Sequence, residues 1–332
     1  MCVREILWIV GIFLYCYMKP AETPPLTPII AAYLAGFIDG DGTITIVNRG
    51  KSCKQFRPQI IVYNCNDVVV SFFEKYCGKA KIRLKKTGKC KEHINWRPVY
   101  EIIYTNQKAI NIINHILPYL NIKKRQARLL LRYNKLDKKY SPVFKRWNPD
   151  IAKYIISIKL KLKKECNQLN SRGNKHKIVR RSLYKNEYLK NELFSYLAGF
   201  LDADGSFAIC GKNFVPKINA TNTCDIPIKI LYNKYGGSLY IQNKKNRRWL
   251  DTNVVDITQR KAFRLIKDVL PFLIVKKQQA KILLAMIKLR NFFGKQGAAK
   301  RWNRPLYEKR IKIYNVLKKQ CMFLNEKGKK NV

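Results

Sequence analysis

Residues Tyr33–Ile44 read YLAGFIDGDGTI, and residues Tyr196–Phe207 read YLAGFLDADGSF. Each is an apolar run carrying two aspartates and closed by a glycine. Small residues recur every four positions: Ala32, Gly36 and Gly40 in the first copy, Ser195, Gly199 and Ala203 in the second. Steps of four keep them on one narrow stripe of a helix. Glycine costs a helix about 1 kcal/mol relative to alanine, so two in one turn-and-a-half need a reason. A stripe without bulk lets two helices approach backbone to backbone, a steric logic that does not require lipid. The expected partner of each stripe is its twin.

If the twins pack, Asp41 and Asp204 come together at adjacent helix ends, with Gly42 and Gly205 expected as C-caps. Two carboxylates there repel each other and face the negative pole of each macrodipole. A divalent cation between them removes the conflict, and Mg²⁺ takes hard oxygen ligands while retaining water. One such motif alone would read as a helix end with aspartate as a turn residue. Two in one chain point to a site. Asp39 and Asp202, two residues upstream, are expected to be structural supports rather than ligands.

Further anchors repeat in the same order. KAINIINHILPYLNIKKRQARLLL from Lys108 is answered by KAFRLIKDVLPFLIVKKQQAKILL from Lys261, KRWN at Lys145 by KRWN at Lys300, and LKKECNQLN at Leu162 by LKKQCMFLN at Leu317. A repeat of about 140 residues is too long for a solenoid unit and reads as a duplicated domain. Each copy alternates helical and strand patterns in the order α-β-β-α-β-β-α. The expected fold class is α+β, with an antiparallel sheet in each half, helices on one face and the other face open. The expected divisions are an apolar and proline-rich extension over 1–27, a first domain over 28–170, a basic linker over 171–190, a second domain over 191–325 and a basic tail over 326–332.

The chain has 332 residues with 67 Lys and Arg against 21 Asp and Glu, a net charge of +46. Such an excess repels itself unless a polyanion shares it, which makes nucleic acid the leading partner. Ten cysteines form no CxxC pair, and three histidines (His93, His115, His176) have no metal-ligand spacing. This argues against zinc, against disulfides and against histidine-dependent nucleophilic catalysis. No GxxxxGK[ST] loop is present, which argues against an NTPase. The apolar stretch Ile6–Met18 is short for a membrane span and lacks a following cleavage site, so neither secretion nor a membrane anchor is expected.

The signatures LAGFIDGDG and LAGFLDADG, with the boxes LPYLNIKKRQA and LPFLIVKKQQA, resemble those of the double-motif LAGLIDADG homing endonucleases over nearly all of residues 28–325. The resemblance implies two pseudo-symmetric domains joined through the signature helices, each presenting a saddle-shaped sheet to the DNA major groove. It implies a monomer that cuts both strands of a long, asymmetric duplex by metal-dependent phosphodiester hydrolysis, leaving short 3′ overhangs. Asp41 and Asp204 would bind the catalytic Mg²⁺, or Mn²⁺ in its place, with the backbone of Gly40 and Ala203. Lys123 and Lys276 match a basic residue near the scissile phosphates. Asn66 is the candidate for positioning water, although its apparent counterpart is Cys224. The DNA-reading face would carry Lys51, Lys54, Gln55, Arg57, Lys81, Arg83, Lys85, Gln242, Lys244, Lys245, Arg247 and Arg248, with lysines on phosphates and the forked or amide groups on bases.

The same family contains RNA maturases, so binding to a host intron RNA is the alternative. A non-catalytic DNA-binding regulator would be expected to lose an acid, and this chain keeps both. No splicing cysteine or serine and no terminal His-Asn pair suggest an intein. The expected setting is an organelle, or a bacterial or phage cytoplasm.

Overall fold

In a computed structural model, the described residues are 24–49, 55–85, 98–140, 149–170, 189–243, 250–293 and 304–326. The run Ile6–Met18 and most of the expected linker and tail lie outside them. In the first half, α1 (Pro28–Asp41) leads into β1 (Gly42–Asn48), β2 (Phe56–Asn64), α2 (Asp67–Cys77), β3 (Lys81–Lys85), β4 (Val99–Thr105) and α3 (Asn106–Ile116). Two further helices follow, α4 (Lys124–Lys139) and α5 (Pro149–Asn170). The second half repeats the order with α6 (Lys190–Asp204), β5 (Gly205–Cys210), β6 (Val215–Asn222), α7 (Asp225–Tyr235), β7 (Ser238–Gln242), β8 (Thr252–Thr258), α8 (Gln259–Val269), α9 (Lys277–Phe293) and α10 (Arg304–Glu326). Both sheets are antiparallel, in the orders β1-β2-β4-β3 and β5-β6-β8-β7. The chain is thus α+β and built twice.

Helix α1 starts where Thr27 caps the amide of Ile30 and Pro28 takes the first turn, a position that needs no N–H. Every residue from Ala31 to Asp39 is buried, so the helix has no polar face to expose. Its partner is α6. A Cβ added at Gly36 would lie 2.0 Å from the carbonyl oxygen of Tyr196, and one at Gly199 would lie 2.1 Å from that of Tyr33. The two backbones therefore touch at these glycines. One turn on, a Cβ at Gly40 would lie 2.4 Å from the Cβ of Ala203, so there is room for one methyl and the second copy carries it. Ser195 uses its place on the stripe to donate to the carbonyl of Ile29 at 2.7 Å, and Ala32 is fully buried.

The expected C-caps differ in one respect. Gly42 and Gly205 are extended, at φ −93° and −91°, and open the first strand of each sheet directly. Their requirement is space: a Cβ would lie 2.7 Å from the carbonyl oxygen of Ile38 and 2.6 Å from that of Leu201. Helix thus passes into strand without a loop, which holds each aspartate at the mouth of a sheet.

The period-2 pattern of the strands puts Ile60 and Val62, Ile102 and Tyr104, Phe207 and Ile209, and Val255 and Ile257 under the helices. The long terminal helix of each half covers the edge of its sheet. Asn170 donates to the carbonyl of Ile44 at 2.8 Å and Asn325 to that of Phe207 at 2.9 Å, with the thiols of Cys166 and Cys321 on the same two oxygens. This is what the repeated LKKxCxxLN box does: it satisfies the free edge of β1 and of β5. Among the described residues, no helix is long and apolar enough to cross a membrane.

Gly40→Ala is expected to destabilise the protein by about 1–3 kcal/mol, the usual range for an overpacked core. Adding Ala203→Gly should recover part of that loss, because the single methyl has then only changed sides. Urea unfolding of both single variants and the double variant checks the cycle; losses that simply add would mean that the helices do not meet at this point.

Candidate active site

The paired helices end side by side, so Asp41 and Asp204 are the last residues of α1 and α6. Both side chains remain part-exposed. Burial raises the carboxyl of Asp41 to about 6, and the charge of Asp204 adds to the rise, while Lys276, a hydrogen bond from Asn64 and Lys123 oppose it. Asp204 is also raised by burial, against a hydrogen bond from Asn222 and the charges of Lys123 and Lys276. Two acids held this way favour a shared cation.

Each acid is oriented by an asparagine at the end of the second strand. Asn64 Nδ2 donates to Asp41 Oδ2 at 3.3 Å, and Asn222 Nδ2 donates to Asp204 Oδ2 at 2.6 Å. The amide oxygens accept from the backbone N–H of Asn66 at 2.9 Å and of Cys224 at 2.8 Å. Those turns decide which way each amide faces. Asn66, the expected water-positioning residue, is instead the N-cap of α2, with Oδ1 accepting from Val68 at 3.0 Å. Cys224 is the N-cap residue of α7, its thiol pushed up to about 11 by burial. The mismatch between Asn66 and Cys224 was itself the sequence clue. Asn64 and Asn222, two residues earlier, match between the copies.

Lys123 and Lys276 fold back over the helix ends. Lys123 Nζ donates to the carbonyls of Ile38 at 2.7 Å, Asp39 at 2.6 Å and Gly40 at 3.5 Å. Lys276 Nζ donates likewise to Leu201 at 2.8 Å, Asp202 at 2.7 Å and Ala203 at 3.3 Å. A cation at the negative pole of each helix is favourable. Burial lowers both ammonium groups, and the surrounding aspartates oppose that. An ammonium has three protons, and here all three face carbonyls. In this arrangement the lysines act on their surroundings through charge rather than through a spare hydrogen bond.

Asp39 and Asp202 are buried, each 1% exposed, and are taken up by other partners. Asp39 accepts from the backbone N–H of Asn121 at 2.8 Å, Ile122 at 3.1 Å and Lys123 at 2.9 Å. Asp202 accepts from Ile274 at 2.7 Å, Val275 at 3.1 Å and Lys276 at 2.8 Å. Each also accepts a phenol from the other domain: Tyr196 donates to Asp39 at 3.1 Å, and Tyr33 to Asp202 at 2.8 Å. They hold the turns that carry the lysines.

On the open face of the first sheet, Lys81, Arg83 and Lys85 project on the same side of β3, while Arg57 is part-buried on β2, with β4 between the two strands. Gln55 is exposed just before β2, and Gln242 ends β7. Lys51, Lys54, Lys244, Lys245, Arg247 and Arg248 lie outside the described residues. Each face also carries an acid not anticipated from the sequence. Glu101, at the middle of β4, lies 3.7 Å from Arg83 and 3.0 Å from Lys85 and accepts from Tyr63 at 3.1 Å. Asp256, on β8 of the second sheet but two residues out of step with Glu101, accepts from Lys217 at 2.6 Å and Asn219 at 2.7 Å. The signal was available: a lone acid inside each apolar strand, third in VYEIIYT and fifth in TNVVDIT.

No family model matches the chain. The intron-encoded DNA endonuclease aI3 of Saccharomyces cerevisiae is 29% identical over 189 residues, which cover 55% of this chain and 38% of that protein. The chain therefore spans well under half the length of that relative. Among solved structures, the LAGLIDADG meganuclease I-AabMI bound to uncleaved DNA superposes with a TM-score of 0.54 at 16% identity, covering 85% of this chain and 98% of its own. The LAGLIDADG homing endonuclease I-GzeII in complex with its DNA target gives 0.54 at 15% identity, covering 86% and 96%. The meganuclease I-SmaMI bound to uncleavable DNA gives 0.52 at 16% identity, covering 89% and 97%. Two signature helices stand at the centre of this fold, as the paired glycine contacts show. The architecture is that of the LAGLIDADG homing endonucleases.

The carboxyl of Asp41 in the metal-free protein is expected to titrate near 6, moving down in Asp204→Asn and up in Lys276→Met; carbon NMR of labelled aspartate reads all three. The sign for stability follows. An acid raised from 3.8 to about 6 in the folded protein binds its proton more tightly there than in the unfolded chain. Its contribution is therefore present at low pH and lost as pH rises through about 6.

Proposed function

We propose that the protein is a site-specific DNA endonuclease of the homing type, acting as a monomer on both strands of a long, asymmetric duplex. The single observation that carries this reading is the symmetric pair of sites at the helix ends: an acid, an orienting asparagine and a buried lysine from each copy. A duplex has two strands, and the fused repeat supplies one set of groups for each. Because the halves differ in sequence, the target need not be palindromic. The DNA-bound states of I-AabMI, I-GzeII and I-SmaMI, and the intron-encoded character of the yeast relative, support the same reading.

The donor set fits a hard divalent cation, Mg²⁺ first and Mn²⁺ in its place. Asp41 and Asp204 offer part-exposed carboxylates, and the carbonyls of Gly40 and Ala203 accept only long bonds of 3.5 and 3.3 Å from the lysines. Among the described residues there is no group of three or more His, Cys, Asp or Glu that could hold an ion. The remaining coordination would fall to water and phosphate, as suits Mg²⁺. When bound, such an ion supplies Lewis-acid polarisation of the phosphate and a more acidic water.

The protein's own groups divide the remaining work. Asn64 and Asn222 keep the carboxylates aimed out of the helix ends. Lys123 and Lys276 place positive charge beside the acids, which lets a phosphate approach two aspartates and favours charge building on it. Product ends with short 3′ overhangs are expected if the two sites address the strands across the minor groove. The open sheet faces would hold the duplex, with Arg83, Lys85 and Lys217 near phosphates or bases. A host intron in an organelle, a bacterium or a phage is the expected setting. A purely RNA-binding role would not require both acids and both asparagines.

The test uses a duplex rebuilt from the sequence flanking this reading frame's own insertion, with the insertion removed, incubated in Mg²⁺, Ca²⁺ or EDTA. Cleavage of both strands in Mg²⁺ alone is expected. Asp41→Asn and Asp204→Asn should each lower the rate at least about 100-fold, as for loss of one group that stabilises transition-state charge, with binding in Ca²⁺ intact. Tight binding to the intron RNA without cleavage would instead support a maturase.

A further inference from the structure

Tyr33 and Tyr196 sit at the closest approach of α1 and α6, where the carbonyl of each faces a glycine of the other helix. Their side chains cross the domain boundary. Tyr33, in the first domain, donates to Asp202 of the second; Tyr196, in the second, donates to Asp39 of the first. Both rings are buried, at 3% and 0% exposure. Burial, and then the charge of Asp202, raise the Tyr33 phenol well above its usual range, so it remains a donor.

Each aspartate passes the contact on. Asp202 gathers the amides of Ile274, Val275 and Lys276, and the Lys276 ammonium then closes over Leu201, Asp202 and Ala203 beside the acid pair. The same path runs from Tyr196 through Asp39 to Asn121, Ile122 and Lys123. A buried carboxylate that loses a donor is under-satisfied and grips its other donors in a changed geometry. The loss therefore falls on one lysine turn only, and on the turn belonging to the opposite domain.

We propose that Tyr33 and Tyr196 are crossed positioning residues: Tyr33 sets Lys276 through Asp202, and Tyr196 sets Lys123 through Asp39, so each half-site is competent only while the other domain's helix is docked. This rests on the nuclease reading above. It also goes beyond it, because it makes docking of the two domains a condition of cleavage and assigns each tyrosine to one strand.

The experiment compares full-length Tyr33→Phe and Tyr196→Phe with Lys276→Met and Lys123→Met, following each labelled strand in a single turnover. Phenylalanine keeps the ring and removes only the donor. Tyr33→Phe is expected to slow, by about tenfold or more, the same strand that Lys276→Met slows, with the other strand within about twofold; loss of a hydrogen bond to a charged group has that size. Tyr196→Phe should follow Lys123→Met on the other strand. Equal slowing of both strands, or pairing of each tyrosine with the lysine of its own domain, overturns the proposal. A second readout needs no cleavage. In Tyr33→Phe, amide hydrogen exchange measured by mass spectrometry should speed up over residues 274–276 and not over 121–123, with the reverse in Tyr196→Phe. Unchanged exchange at both turns would sink the idea. If the unmodified protein cuts nothing, the nuclease reading fails while the exchange pattern still decides the crossed contact.

Discussion

The contact of α1 with α6 at Gly36 and Gly199 governs the rest of the molecule. With carbonyl oxygens 2.0 and 2.1 Å from where a Cβ would stand, these helices are as close as backbones can be. No side chain intervenes to absorb error, so the relative height and rotation of the two helices are tightly set. Everything at their C-terminal ends inherits that setting. Asp41 and Asp204 meet because the glycines let them, and the helix-to-strand passage at Gly42 and Gly205 then fixes where each sheet begins relative to its acid.

Charge is managed around that contact in layers. Four aspartates sit within one turn of two helix C-termini, a position that disfavours negative charge. Asp39 and Asp202 are neutralised by three backbone N–H donors each and a phenol from across the interface. Asp41 and Asp204 receive only an amide donor each and the field of two lysines, which does not fully offset the rise that burial imposes, and they stay part-exposed. The inner pair is satisfied by protein. The outer pair is the one with capacity for an external cation, and the same geometry explains why sequence-identical aspartates two residues apart serve different ends.

The open faces follow a similar rule. A chain with a net charge of +46 would be expected to line its groove with cations alone. Instead Glu101 and Asp256 stand in the middle of the two sheets and draw Arg83, Lys85 and Lys217 to defined positions. An acid buried among cations limits their side-chain freedom before any partner arrives, which lowers the ordering cost of binding.

Local spacing was sufficient for much of this protein. The duplication, the α-β-β-α-β-β-α order, the small-residue stripe and the importance of Asp41 and Asp204 follow from periodicity and repetition, which are properties of neighbouring residues and need no fold to read. Tertiary structure decided what spacing cannot. It selected Asn64 and Asn222 over Asn66, because the hydrogen bond to the acid depends on where β2 ends relative to α1. It turned Lys123 and Lys276 onto helix carbonyls, because those carbonyls are open only at a helix terminus that lies some 80 residues away in sequence. It showed that Gly42 and Gly205 are required for space at an extended backbone rather than for a left-handed turn. It also linked Tyr33 to Asp202 and Tyr196 to Asp39, a crossing between copies that internal repetition conceals, since each copy viewed alone holds both partners. Such contacts join residues far apart along the chain, and their geometry exists only once the two helices have packed.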